Sequence, residues 1–541
     1  MSKSDHRAVL VERLQAAITR RAFLRRAGAL ALAVGGASVP VPAEARRPRR
    51  GGSLTVAWLD PPDTLDPHLA SSPGAIGLLN NIYNGILKVE FDGRRVRVVP
   101  DLAERWEMPD PVTHILTLRR GVKFHTGEEV TADDVQWNQE RLRDRAVGSP
   151  HGWKLAALER IEALARHRIK ITLARPYQFL PVAWTGGIGR AGTIVSRRAV
   201  EKHGRAYGRH PVGTGPFRLV EWREGDRILL ERNRDYFERG ADGRPLPYLD
   251  RVTILLPREP ATAIGALMTG ELDGMARCPL AFAAVLRKNP NLALYGQVGG
   301  NTSYLAMNTR KPPFDDRTLR QAVALALDRT PIIQQAYFGE AMPACSPISP
   351  SMADFYGPAL CAGRPVQVFD LERARALRAK TKVQGEIEVE YLVSTVGAAG
   401  IRLAELIQPM LARIGITARL LLHDPATWRK KREAGDFHLY DDAGVAHLDP
   451  EESLFPAWRS GEPANLVGYS NPEFDRLITE ARVEANLPKR RALYERAGRT
   501  LAEDAPCAFL THFTEFKALS KRVKNFRYVP ADLMNFHDVW V

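Results

Sequence analysis

Pro211-Val-Gly213-Thr214-Gly215-Pro216-Phe217 is a glycine-rich loop that runs directly into a strand-like segment, Arg218 to Trp222. A loop of this composition cradles phosphate when a helix N-terminus follows it, because the free backbone N–H groups then converge on the anion. Here Pro216 and a strand follow instead. The loop therefore reads as a backbone turn, and a nucleotide-binding fold loses its best candidate.

On its N-terminal side, Thr131-Ala-Asp133-Asp134-Val-Gln-Trp137 opens a helix. Thr131 is a natural N-cap whose hydroxyl accepts a free backbone N–H, and Asp133 and Asp134 oppose the positive end of the helix dipole. Capping accounts for this carboxylate pair without acid–base chemistry. Residues 112–124 read as a strand and turn. Further back, Gly52 to Trp58 alternates like a strand and leads into Asp63-Thr-Leu-Asp66-Pro67, a turn-forming, helix-capping cluster. Ile76, Leu79, Ile82, Tyr83 and Ile86 then recur at steps of three and four, predicting a helix with one apolar stripe.

The 541 residues contain no low-complexity linker, which favours one large globular body with lobes over a string of small domains. With 45% hydrophobic and 26% charged residues, the chain is neither wholly disordered nor a multi-spanning membrane protein.

Residues 1–45 read as an export signal and stand outside the fold. Thr19-Arg20-Arg21-Ala22-Phe23-Leu24-Arg25 resembles the twin-arginine motif, an Ala- and Gly-rich apolar run extends from Ala27 to Val41, and Ala43-Glu44-Ala45 supplies a small-residue cleavage pattern. The run is shorter than the roughly 20 residues a bilayer span needs. Twin-arginine export implies folding in the cytosol, then release into the periplasm of a Gram-negative envelope. No cysteine precedes Cys278, so no lipid anchor is expected at the cleavage site.

Without the signal, 70 Lys and Arg face 59 Asp and Glu, a net charge of about +11. The basic residues are scattered, with no block like a nucleic-acid-binding arm, so no nucleic-acid partner is expected. Of the four cysteines, Cys345 and Cys361 end a Pro-rich stretch, Met342 to Pro365, and are expected to pair, whereas Cys278 and Cys507 read as buried thiols. No C-x-x-C or H-E-x-x-H spacing occurs, so neither a metal site nor a cofactor is expected.

Several segments, in order, resemble the bacterial extracellular solute-binding proteins of the peptide and nickel type, family 5. In the first part of the chain they are Leu102-Ala-Glu104-Arg-Trp106, Gly121-Val-Lys-Phe124-His125, Thr131 to Trp137, Pro211 to Phe217 and Arg232-Asn233-Arg-Asp235-Tyr236. Downstream come Tyr304-Leu-Ala-Met-Asn308-Thr309, Asp315 to Val323, Gly468-Tyr469-Ser-Asn471-Pro-Glu-Phe474-Asp475 and Glu503-Asp504-Ala-Pro506. Each motif is weak alone, but together they span nearly the whole mature chain.

The resemblance implies an α/β, two-lobed periplasmic binding protein fold (type II, cluster C) with an extra subdomain in lobe I. Lobe I would comprise residues 46–300 and 510–541, with the inserted subdomain at about 85–205, and lobe II residues 301–509. The chain would cross between lobes near Val298 to Ser303 and return near Ala508 to Phe513. Solute would be enclosed between the lobes and delivered to an ABC permease with its cytoplasmic ATPase, by a monomer and without catalysis. A solute touching both lobes stabilises only the closed form.

Relatives line the pocket with the loop after the first strand, here Leu69 to Gly74, where Ser71 and Ser72 offer hydroxyls and Gly74 allows close approach; an ordinary helix-capping turn is the alternative. Lobe II would contribute Tyr440 to Pro450, including Asp441, Asp442, Ala446 and His447. Peptide-binding relatives carry an aspartate for the peptide's amino group three residues before the Asp449-Pro450 pair, and this chain has Ala446 there. A buried ammonium without a carboxylate is costly, so Asp441, Asp442 or His447 would have to substitute. Arg402 lies next to the position of a carboxylate-binding arginine, with Trp428 and Tyr391 as aromatic walls. The alternatives are an exposed ion pair between Arg402 and Glu405, and core packing for the aromatics. The default solute is a peptide or peptide-like compound. Nickel or a nickel chelate, with His68 and His447 as candidate ligands, and an opine or other organic solute remain open. A periplasmic hydrolase would need a nucleophile–base set, and none is evident. A receptor presenting solute to a membrane sensor would differ only in its partner.

Overall fold

The computed structural model describes residues 47–541 apart from 94, 358–365, 396–398, 444–446, 530 and 532. The expected export signal, Ala446 and Cys361 therefore lie outside the described residues.

Twelve strands among the described residues form one mixed sheet. In one half, Ser53–Trp58 is flanked in parallel by Arg251–Leu255 and Gly274–Cys278, and Arg227–Arg232 and Phe217–Arg223 continue that side antiparallel. Leu54, Val56, Ala57 and Trp58 are all buried, as a parallel-flanked strand covered on both faces requires. In the other half, Ile387–Ser394 runs parallel to Ile416–His423 and Leu439–Asp442, and Ser303–Met307 joins antiparallel to the last of these.

One strand belongs to both halves. Cys507–Ser520 has 14 residues and spans roughly 45 Å at the usual strand rise. Its first part, Cys507 to Thr511, pairs with Ser303–Met307, and its second, Thr514 to Ser520, pairs with Leu292–Val298. Between them Thr511 to Phe513 pair with Ala341–Pro343. The chain thus passes from one half-sheet to the other twice, through Gly299–Thr302 and along this strand. Both crossings are tied down: Asn301 Nδ2 donates to Glu515 Oε1 at 2.8 Å, and the Thr302 hydroxyl donates to the Pro347 carbonyl at 3.2 Å.

A separate antiparallel sheet of Ala103–Asp110, Thr113–Leu118, Arg168–Leu173 and Leu158–Ala165 packs against the helix Ala132–Arg143. Leu116, Leu118, Val135, Leu142, Ile169 and Ile171 form its interior. Thr131 and Asp134 close a capping box on that helix: the Thr131 side chain faces the Asp134 N–H as expected, and the Thr131 N–H and hydroxyl donate to Asp134 Oδ2 at 2.9 and 2.8 Å.

The apolar stripe after the first strand folds as the helix Pro73–Ile82. It stops before Tyr83 and Ile86, which were expected to continue it. Tyr83 turns to extended backbone as the C-cap, and at Gly85 the chain runs against another backbone, where a Cβ would lie 2.2 Å from the Gly186 nitrogen. Tyr83 and Ile86 are still buried. The Pro211–Phe217 loop packs on this same helix end, with Gly215 N–H donating to the Ile82 carbonyl at 2.9 Å. A Cβ on Gly213 would meet that carbonyl oxygen at 2.3 Å. Its glycines serve backbone contact, as the following strand Phe217–Arg223 had indicated.

The C-terminal tail folds back over the first half-sheet. Lys517 is buried beneath it, and its ammonium donates to the carbonyls of Val529 (3.0 Å), Ala531 (2.6 Å) and Leu533 (2.7 Å). Lys517→Met keeps the stem but leaves three acceptors without their donor. It is expected to destabilise the protein by at least about 3 kcal/mol in urea titration and to expose the segment around 528–534 to limited proteolysis.

Candidate functional site

The loop after the first strand is organised by Asp63. Its carboxylate accepts from the N–H and hydroxyl of Ser71 (2.9 and 2.8 Å) and from the N–H and hydroxyl of Ser72 (3.1 and 2.8 Å). Burial pushes the Asp63 carboxyl up, but the Ser71 and Ser72 hydrogen bonds outweigh it and hold the group below its ordinary value. The Ser72 oxygen also accepts from the Ala75 N–H at 3.2 Å, making Ser72 the N-cap of Pro73–Ile82. Both hydroxyls are thus committed within the loop. Gly74 is needed for packing, since a Cβ there would lie 1.9 Å from the Asp60 carbonyl oxygen.

Beneath the loop is a buried polar layer. Arg141 donates to both carboxylate oxygens of Asp66 at 3.1 and 2.6 Å and to His68 Nδ1 at 2.7 Å. His68 Nε2 then donates to the Thr193 carbonyl at 3.0 Å. With one ring nitrogen accepting and the other donating, the imidazole is neutral, and burial lowers its pKa to about 4. Both nitrogens are occupied, which removes His68 as a metal ligand in this conformation. His151 Nε2 reaches the Ala70 carbonyl at 2.8 Å, and Lys154 Nζ donates to the Gly189 carbonyl at 3.1 Å. The neighbouring Arg190 holds a left-handed backbone, with φ of 63°, which is uncommon for a residue with a side chain.

The candidates of the second half lie around the strand Leu439–Asp442. Asp442, at the end of Leu439–Asp442, pairs with Arg432, whose guanidinium lies 4.2 Å from the Trp428 ring centre and 5.5 Å from that of Tyr440. Trp428 donates to the Leu392 carbonyl at 3.4 Å and is half-buried. Asp441 points the other way, into the core beside fully buried Tyr391. Burial raises its carboxyl to about 7, against the Tyr391 hydroxyl that favours the charged form. Tyr391 is therefore core and not a cleft wall. Arg402 is exposed on a helix, donating to Gln335 at 2.7 Å and lying 3.5 Å from Glu405, the surface arrangement set out as its alternative.

Beyond the undescribed residues 444–446 come His447, Leu448 and the helix Pro450–Trp458, capped by Asp449, whose Oδ1 accepts from the Glu451 N–H at 2.9 Å. Asp449 also receives both guanidinium arms of Arg490 at 2.9 and 2.8 Å. From here the two halves touch. Glu452 meets Lys154 at 2.5 Å, and His447 Nδ1 lies 3.8 Å from the other Glu452 oxygen. Gln178 N–H donates to the Arg482 carbonyl at 2.9 Å, and the Arg482 guanidinium lies over Tyr177 and Phe455 while pairing with Glu451 at 2.6 Å. Leu448 packs against the cluster of Ile76, Ile188, Val529 and Leu533. The structure thus sets His447 beside Glu452, gathers Asp442 and Trp428 around Arg432, buries Tyr391 in the core and leaves Arg402 exposed.

Lys154, Arg190, Glu452 and Arg482 were not singled out in the sequence. Glu451 and Glu452 fit the first turn of a helix as dipole complements, and Lys154 sits in a stretch without periodicity. Their one sequence signal is acidic and basic residues embedded among apolar ones. Among the described residues, no three His, Cys, Asp or Glu side chains gather as metal ligands. Cys345 is disulfide-bonded, Cys278 and Cys507 are free and buried, and the partner expected for Cys345 lies outside the described residues.

Residues 97–465 match the family described as "Bacterial extracellular solute-binding proteins, family 5 Middle". The glutathione-binding protein GsiB of Pectobacterium atrosepticum is 27% identical over 492 residues, covering 88% of this chain and 91% of that protein. Heme-binding protein A of Haemophilus influenzae is 29% identical, covering 85% and 87%. Among solved structures, the periplasmic binding protein DppA from Helicobacter pylori, in complex with the peptide STSA, superimposes with a TM-score of 0.80 at 25% identity, covering 91% of this chain and 98% of that one.

Asp441 gives a pH test of the second half. Its native carboxyl keeps its proton up to about 7, whereas the unfolded chain loses it near 3.8, so the native state binds more protons in that window and stability falls as pH rises through it. The cost reaches about 4 kcal/mol at the top of the window. Asp441→Asn removes this term. The stability of the variant relative to the parent is expected to rise between pH 4.5 and pH 7.5 in thermal or urea melts.

Proposed function

The chain belongs to the bacterial extracellular solute-binding proteins, family 5, and on that premise we propose that it is the periplasmic solute-binding component of an ABC importer for a peptide or peptide-like solute. The solute is captured between two lobes and handed to the permease, whose cytoplasmic ATPase drives uptake. The protein performs no chemistry on what it carries. Lobe I is assigned to residues 46–300 and 510–541, with the subdomain at about 85–205, and lobe II to residues 301–509. The observation that carries the reading is mechanical: the two half-sheets share the strand Cys507–Ser520 and are otherwise joined through Gly299–Thr302, while Lys154, beside the separate four-stranded sheet, meets Glu452 of the helix Pro450–Trp458, with His447 next to it. Two half-sheets joined by two crossings are what a hinged clamp requires.

The names of the relatives support the solute class. Glutathione is a tripeptide and STSA a tetrapeptide, and both are held by proteins aligned over most of this chain. Asp442, Trp428 and His447 are the second-lobe residues assigned to the solute. On the first lobe, the Ser71 and Ser72 hydroxyls serve Asp63, so that loop presents its backbone near Gly74. Pairing of Cys345 with Cys361 staples the stretch between them.

A bound solute stabilises the protein by about 2.7 kcal/mol at a hundred times its dissociation constant. Thermal-shift screening of dipeptides, tripeptides, glutathione, hemin and nickel–histidine is expected to give a concentration-dependent rise with the peptides. Native mass spectrometry of the purified protein should show the same class retained. A rise with hemin or nickel–histidine alone overturns the peptide assignment, and no rise with any of them counts against solute capture.

Export by the twin-arginine route assigns residues 1–45 as a cleaved signal. The mature N-terminus is expected at Arg46, read by peptide mass mapping of the periplasmic fraction. Changing both Arg20 and Arg21 to Lys should hold the precursor in the cytoplasm.

A further inference from the structure

We propose that the first half carries a second binding site, a recess between Asn84, Asp101, Glu238 and the C-terminal tail that takes a small primary ammonium compound. The inference goes beyond solute capture and does not need closure of one lobe on the other. The residues lining the recess come from 80–101, 186, 236–238 and 527–538, and none from 301–509.

The recess has a volume of about 130 Å³, room for roughly six heavy atoms. Its polar lining centres on two acids. The buried Asp101 carboxylate accepts from Asn84 Nδ2 at 3.0 and 3.1 Å and from the Gly85 N–H at 3.0 Å. Glu238 takes the Lys88 ammonium at 2.5 Å. The buried Tyr236 hydroxyl accepts from the same Asn84 nitrogen at 3.3 Å and feels the charge of both acids. Asn535 adds a buried Oδ1 with no donor among the described residues. Exposed Glu90 and Arg527 also line it, and Arg527 is paired with Asp538 at 3.2 Å. The rest is apolar or aromatic, including Val89, Val529 and the rings of Phe91 and Tyr528, which meet edge-on at 6.5 Å.

Asp101 and Glu238 share one ammonium, that of Lys88, so the interior is short of positive charge. Arg119 does not make up the difference: it is not part of the lining, its Nε donates to the Asp101 backbone carbonyl at 2.7 Å, and its guanidinium lies 5.9 Å from the Phe237 ring centre. An alkylammonium meets every demand of the recess. Its three N–H donors suit the two carboxylates and Asn535 Oδ1, and its stem suits the apolar and aromatic side chains. An anionic ligand would face two carboxylates instead. Burial raises the Asp101 carboxyl to about 6, with Lys88 pulling it down and Glu238 pushing it up. A bound cation favours the ionised carboxylate, so below that value binding must expel a proton, and affinity rises with pH through it. Burial also raises Glu238, but Lys88 and His537 outweigh it and keep that carboxyl below its ordinary value, so it stays ionised across the same range. His537 Nε2 lies 4.0 Å from Glu238 and 3.7 Å from Asp538, which makes His537→Gln the control that isolates Asp101.

Isothermal titration calorimetry of the purified protein with n-butylammonium tests the site, with 1-butanol as the neutral probe and butyrate as the anionic one. Saturable binding is expected for the ammonium alone, about tenfold stronger at pH 7.5 than at pH 5. His537→Gln should keep that pH dependence. Asp101→Asn should remove it and weaken binding at pH 7.5 by about tenfold. Lys88→Met takes away the one ammonium the two acids share and should strengthen binding by about tenfold, with the ligand in its place. Lys88 is partly exposed, so this variant carries the test even if thermal melts show that Asp101→Asn does not fold. The proposal is overturned if 1-butanol or butyrate binds as well as the ammonium, if n-butylammonium does not bind, if folded Asp101→Asn binds like the parent, or if Lys88→Met binds more weakly.

Discussion

The strand Cys507–Ser520 is hydrogen-bonded to both halves of the main sheet, and this constrains everything else in the molecule. A strand exchanges its backbone hydrogen bonds with neighbours that must lie within 5 Å of it, so each half-sheet is built outward from one part of the same continuous segment. Between those parts, Thr511 and His512 are fully buried, and Asn301 with Glu515 and Thr302 with His512 stitch the second crossing to the first. One apolar cluster runs through both halves at this strand, from Met275 and Cys278 on one side to Leu305, Met307 and Val389 on the other.

Buried charge recurs where residues 154 and 178 meet residues 452 and 482: Glu452 pairs with Lys154 between distant segments, while Asp66 with Arg141, Glu451 with Arg482 and Asp449 with Arg490 are little-exposed ion pairs within one side each. Such pairs cost hydration and recover it only in good geometry, which makes them poor sources of stability. They are effective at fixing which surfaces meet and in what register. An apolar contact tolerates many registers, whereas a buried ion pair tolerates one.

The fate of the individual site residues follows from what each could reach. Ser71 and Ser72 have the right chemistry for a solute, but Asp63 lies eight and nine residues earlier and takes both hydroxyls. Asp441 and Asp442 are adjacent, and strand alternation sends them to opposite faces, one into the core beside Tyr391 and one to Arg432 and Trp428. Arg402 stands on a helix face turned to solvent, with Gln335 and Glu405 as its company.

By itself, the sequence determined what depends on neighbours along the chain. The first strand, the helix after it, the Thr131 cap and the turn at Pro211–Phe217 were legible because alternation, capping and glycine placement are local rules, and the motifs in order pointed to the family and its fold. Only the tertiary structure decided which distant charges meet, where the first helix stops, and which candidate side chains face inward. Those outcomes depend on contacts between distant segments, such as Gly85 against Gly186 and Lys154 against Glu452. No local pattern encodes a partner 298 residues away, because the energy of a buried charge is set by what the fold places beside it.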